Sequence, residues 1–93
     1  NRSQLIHDEV LSIGTVNATL VSPREIFIEA LKAEASNIII LHNHPSGDST
    51  PSKEDINITK RLKECGELLG INLLDHIIIG KNTYVSLKEK GIL

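Results

Sequence analysis

The sequence predicts a single α/β domain, residues 1–93, in which a mixed β-sheet is flanked by helices. Three observations carry that expectation. "SPRE" at 22–25 and "PSKED" at 51–55 are helix-start signatures, and each opens a run of apolar residues at helical spacing. Stretches rich in β-branched residues lie before, between and after these runs, so the order reads β-β-α-β-α-β-β. In "NIIIL", four apolar residues follow one another without alternation, as in a strand buried on both faces at the centre of a helix-covered sheet.

The elements follow in order. In "LIHDEVLSIG", Leu5, His7, Glu9, Leu11 and Ile13 fall on one face of an extended strand, and Ile6, Asp8, Val10 and Ser12 on the other. Gly14 is expected to break that strand, and "TVNATLV" to resume extended chain to about residue 20. Ser22 then serves as N-cap with Pro23 at the first helical position and Glu25 closing a capping box. Ile26, Phe27, Ala30, Leu31 and Ala33 form the apolar stripe of this helix. After "NIIILHNH", the turn "PSGDST" leads to a helix over about 52–69 that buries Ile58, Leu62, Cys65 and Leu69 and stops at Gly70. "INLLDHIIIG" and "TYVSL" read as two further strands, and "KEKGIL" as a closing turn.

Composition bounds the function classes. Apolar residues are 40% and charged residues 24%, which is globular. Phe27 and Tyr84 are the whole aromatic content, so the core must be aliphatic. No apolar run approaches the roughly 20 residues of a membrane helix. A lone Cys65, on the helix's apolar stripe, suits a reducing cytoplasm. Methionine is absent even at position 1, so the chain is expected to be one domain of a longer protein. Net charge is −2, and Lys53, Lys60, Arg61 and Lys63 are interleaved with Glu54, Asp55, Glu64 and Glu67. That mixture is a solvated helix face rather than a nucleic-acid surface, so nucleic acid is not expected as a partner of this domain alone.

The chemistry concentrates in "LHNHPSGDSTPSKED", residues 41–55. On a strand, residues two apart point the same way, so His42 and His44 present two imidazoles from one face. They stand at the exit of a central strand, where layered α/β sheets bind ligands. Ser52 and Asp55, three apart, are neighbours on one side of the following helix. Two imidazoles and one carboxylate suit zinc and leave a fourth position open, as catalytic rather than structural sites do. The same letters have plainer readings: S-K-E-D is also an ordinary capping box, and two histidines in a turn can simply be exposed. Asp48 competes with Asp55 as the carboxylate, though a turn orients a ligand less well. Asp75 and His76, a polar pair in a buried strand, read as a satisfied core histidine or an outer support to ligands. His7 reads as a surface or near-site residue.

The spacing H-x-H-P-x6-S-x2-D resembles the JAMM (MPN+) metalloprotease motif, and "HNHPSGD" with "LLDHIIIG" downstream resembles the C-terminal domain of bacterial RadC proteins across nearly the whole chain. The resemblance implies a cytidine-deaminase-like (JAB/MPN) fold and zinc bound by His42, His44 and Asp55. It implies that Ser52 steadies the oxyanion and that an early-strand glutamate, here Glu9, is the general base, with Asp8 as its rival. Asn43 between the histidines departs from the Ser or Thr usual in eukaryotic deubiquitinating members, so ubiquitin-directed specificity is not implied. The expected function is a zinc-dependent peptidase or isopeptidase acting on a peptide or protein substrate. The alternative is a DNA-repair-associated accessory or binding module with a structural or vestigial zinc site. The letters "HNH" do not make a nuclease, whose motif spreads those residues over a longer unit.

Overall fold

Helical spacing repeats Asp55, Ile58, Thr59, Leu62 and Gly66 down one side of a long helix, and the sheet lies under that side. The computed structural model describes residues 4–7, 10–15 and 22–93, with side chains for 10–14 and 22–93. The elements are β1 (Gln4–His7), β2 (Val10–Thr15), α1 (Pro23–Lys32), β3 (Asn37–Asn43), α2 (Lys53–Leu69), β4 (Asn72–Ile79) and β5 (Tyr84–Ser86). Their order in the chain is the expected one, and their order in the sheet is the same, β1-β2-β3-β4-β5. β2, β3 and β4 run parallel, joined through α1 and α2, and the outer pairs β1/β2 and β4/β5 are antiparallel.

The first strand differs from expectation. "LIHDEVLSIG" is two strands, with Ile6 opposite Leu11 and His7 opposite Val10, and Gly14 continues β2 rather than ending it. The reversal exchanges the faces of the first strand: Leu5 is opposite Ser12, not in line with Leu11. Alternation carries no information about direction, and Asp, a poor strand former, was the cue for a break. Residues 16–20 of the expected second strand lie outside the described residues.

α1 and α2 pack against each other, and their buried residues form one cluster with Leu11, Ile13, Ile38, Ile40 and Ile71. Both helices therefore cover the same face of the sheet. This corrects the expectation for β3: Ile38, Ile40 and His42 are buried, but Asn37, Ile39 and Leu41 on the other face are only half-buried. Leu31 and Leu69, assigned to apolar stripes, are exposed: the buried face of α1 is Ile26, Phe27 and Ala30, and Leu69 is the last residue of α2. Cys65 is half-buried and packs against the core as expected. Ser22 is the N-cap of α1, with Pro23 in the first turn, but its side chain makes no capping hydrogen bond. α2 has the full capping box and ends on Gly70 at φ 74°, a conformation that glycine adopts without cost.

One irregularity positions a side chain. β3 and β4 pair Ile38 with Leu73 and then Ile39 with Asp75, leaving Leu74 as a bulge. Past the bulge, His76 is opposite Ile40 and so shares the helix-covered face with Ile40 and His42.

Candidate metal centre

Three parallel strands end where α2 begins, and the segment between β3 and α2 is tied down on both sides. The His44 N–H donates to the Ile79 carbonyl at 2.9 Å, and the Lys81 N–H to the Gly47 carbonyl at 2.7 Å. The Ser49 and Thr83 hydroxyls lie 2.8 Å apart. Asp48 shapes the turn itself: its Oδ1 accepts the Thr50 N–H at 2.9 Å and the Thr50 hydroxyl at 2.7 Å. These bonds hold its carboxyl below the ordinary value. The Asp48 carboxylate is thus occupied within the loop, and Asp55 is the acid that faces the histidines.

Asp55 is fully buried in the first turn of α2. Its Oδ2 accepts the Ser52 N–H at 2.7 Å, while Ser52 Oγ accepts the Asp55 N–H at 3.1 Å. The plain capping-box reading of these two residues is therefore correct as structure. It does not exhaust them, since the same carboxylate also meets both histidines. Asp55 Oδ1 lies 2.9 Å from His42 Nδ1, and Oδ2 lies 3.1 Å from His44 Nε2. The His42 and His44 rings meet edge to face with centroids 4.7 Å apart.

The protonation states follow from the surroundings. Burial lowers the His42 pKa against the raising pull of Asp55. Burial also pushes Asp55 upward, but the Ser52 hydrogen bonds and the two histidines outweigh it and hold the carboxyl low. His76 is almost wholly buried, which pushes it down to about 4. Near neutrality His42 and His76 are therefore neutral imidazoles beside the Asp55 carboxylate, the forms in which these side chains bind metal.

A cation fits what these atoms lack. His42 Nδ1 and Asp55 Oδ1 are close but not aligned for a hydrogen bond, so both are buried polar atoms without a hydrogen-bond partner. His44 Nδ1 is 2.7 Å from the Asp48 carbonyl, which can only accept, so this nitrogen carries the proton. The other nitrogen of the ring, Nε2, faces Asp55 Oδ2 at 3.1 Å. Leaving the buried Asp55 Oδ1 and His42 Nδ1 unpaired costs free energy that a bound cation would offset. Potential donors of His42, Asp55 and His76 lie within 4.8 Å of one another.

The structure thus brings His42, His44 and Asp55 together with Ser52 at their edge. It also brings in His76, read from sequence as support rather than donor. The signal was present in "LLDHIII", a histidine inside an apolar run, but its face depends on the Leu74 bulge. Asp75, its sequence partner, is turned elsewhere: its carboxylate accepts the Ser86 hydroxyl at 2.5 Å and the Lys88 N–H at 3.0 Å, latching the C-terminal turn. Asp8 and Glu9 lie outside the described residues, as does the side chain of His7. Their neighbour Val10 is opposite Asn37, five residues and about 16 Å of strand before His42.

A family model, RadC-like JAB domain, matches residues 1–92. The chain belongs to that family. Among relatives of this RadC-like domain, a UPF0758 protein of Clostridium botulinum strain Hall is 72% identical over 81 residues, covering 87% of the chain and 36% of the relative. A UPF0758 protein of Clostridium novyi strain NT is 66% identical over 83 residues, covering 89% and 36%. The RadC-like domain thus spans little more than a third of the curated relatives it matches. Among its described residues, no helix is long and apolar enough to cross a membrane.

Proposed function

We propose that this RadC-like domain is a zinc-dependent hydrolase of amide or isopeptide bonds, acting on a peptide or protein substrate in the cytoplasm. The observation that carries the reading is the fully buried Asp55 carboxylate held against two histidines, with His42 Nδ1 and Asp55 Oδ1 2.9 Å apart and each without a hydrogen-bond partner. His42, His44 and Asp55 would hold the ion. When bound, zinc supplies a water of pKa near 7 and polarises a carbonyl oxygen.

The chain's own residues do the rest. Asp55 is fixed by Ser52 through the capping box, so its direction is set before any ligand arrives. Asp48, through its carbonyl, fixes which nitrogen of His44 faces inward. Ser52 is exposed, and its hydroxyl proton is not used by the capping bonds, so it can donate to a developing oxyanion beside the helix start. Glu9 was the expected proton acceptor. It lies outside the described residues, and we assign it that role.

The test is zinc content and peptide-amide cleavage on one preparation of the full-length protein, with Asp55→Asn and Glu9→Gln beside the parent. Stoichiometric zinc, lost in Asp55→Asn together with cleavage, is expected. Glu9→Gln should retain zinc and lower turnover by roughly 10²–10⁴-fold, whereas unchanged turnover would pass the base role to Asp8. Absence of tight zinc overturns the metal reading. Zinc without cleavage of any peptide or isopeptide bond favours the accessory or binding module.

A further inference from the structure

His76 is buried beside His42 and Asp55 and has no role in the assignment above. Its Nδ1 is 2.6 Å from Thr59 Oγ1, and that hydroxyl is also 2.6 Å from the Asp55 carbonyl oxygen. A carbonyl only accepts, so the single hydroxyl proton of Thr59 goes to Asp55. The ring must then supply the other hydrogen, with Nδ1–H donating to Thr59 Oγ1. The result is a directed chain from His76 through Thr59 to the backbone of Asp55, with all three residues buried.

This chain joins two elements whose mutual placement makes the site. The capping box holds Asp55 from within α2, through Ser52. Thr59, one turn further along the helix, reaches β4 instead. On the sheet, His76 is opposite Ile40, two residues before His42 on the same face of β3. The strands that carry His42 are thereby bonded to the helical turn that carries Asp55. Across that junction His42 Nδ1 and Asp55 Oδ1 stand 2.9 Å apart.

We infer that His76 is a positioning residue of the metal centre, acting through Thr59 from outside the coordination sphere to set the place of Asp55 against His42. The inference rests on the zinc reading and leaves the ion's fourth position to water. It gives His76 the part of a hydrogen-bonding partner that orients a ligand without touching the metal.

Two amide substitutions separate the nitrogens of the ring. His76→Asn puts an amide N–H near the place of Nδ1 and can still donate to Thr59, whereas His76→Gln puts its amide near the place of Nε2 and cannot. Chelator competition on the full-length protein should find zinc affinity within about threefold of the parent in His76→Asn and Thr59→Ser. It should find zinc weakened by about 10–100-fold in His76→Gln and in Thr59→Val. Combining His76→Gln with Thr59→Val should weaken zinc no further, because both changes break one chain. X-ray absorption at the zinc edge of the loaded parent should count two imidazoles. Three imidazoles, or affinity kept in His76→Gln and lost in His76→Asn, would show His76 acting through Nε2 and overturn the inference. A merely structural contact would lower the melting temperature of metal-free Thr59→Val and leave its zinc affinity unchanged. That outcome also overturns the inference, with the zinc reading left standing. A parent that binds no zinc overturns both.

Discussion

Gly80→Ala tests whether the metal centre is held by the loop contact rather than by its ligands alone. A Cβ at position 80 would lie 2.3 Å from the Gly47 carbonyl oxygen and 2.8 Å from the Ser49 nitrogen. Both are backbone atoms, and no rotamer change relieves them. Reaching ordinary contact distance means moving the 47–49 segment by about an ångström, since packed interiors do not absorb even one methyl without displacement. That segment includes Asp48, whose carbonyl holds His44, and Gly47, whose carbonyl receives the Lys81 N–H. Overpacking of this kind costs about 1–3 kcal/mol in stability. Displacing a group that orients a ligand should weaken zinc by a further 10–100-fold. Gly70→Ala is the control: its φ of 74° makes alanine strained by about 1–2 kcal/mol, but the added Cβ meets nothing within 4 Å. Denaturant melts of the metal-free proteins and chelator competition of the loaded ones give both quantities. Equal stability losses, with zinc affinity lowered only in Gly80→Ala, are expected. Unchanged zinc affinity in Gly80→Ala would refute the claim that this loop contact sets the site.

Two further outcomes are expected. The metal-free domain should lose stability on acidification: a His76 value of about 4 in the fold lies below the ordinary 6.5, so the unfolded chain takes up a proton first. The loss begins as pH falls through 6.5, is complete near 4, and amounts to about 3–4 kcal/mol, from 6.5 − 4 = 2.5 at about 1.4 kcal/mol each. Urea melts across that range check it, and a slope as steep in His76→Gln would assign the loss to other groups. With a pI near 6.1, the isolated domain should bind duplex DNA weakly or not at all at physiological salt. Submicromolar binding with a steep salt dependence would favour the accessory module over the peptidase.

The element order was legible because helix starts and stops are chemical: Pro23, Ser52 with Asp55, and Gly70 each act through their own backbone or side-chain geometry. The hairpin at the start was not, because Ile6 and Leu11 become partners through a reversal that alternation alone does not encode. Four of the site residues were nameable from spacing between 42 and 55, since one strand end and one helix start fix their mutual placement. His76 comes from the next strand, and its approach to His42 depends on long-range register. The coverage of β3 was overestimated because a run of isoleucines cannot reveal that α1 and α2 lie on the same side.

The Leu74 bulge gives that register a chemical meaning. Were Ile39 paired with Leu74, Ile40 would face Asp75, and every later residue of β4 would change sides. The pocket would then offer His42 with the two acids Asp55 and Asp75, while His76 would turn to the opposite face. Imidazole favours zinc, copper and nickel, whereas added carboxylate oxygen favours magnesium, calcium and manganese. The latch from Asp75 to Ser86 and Lys88 would be lost in the same exchange. One unpaired leucine therefore decides whether an imidazole or a carboxylate stands beside His42 and Asp55, so the chemistry of that face is set by strand phase as well as by residue identity.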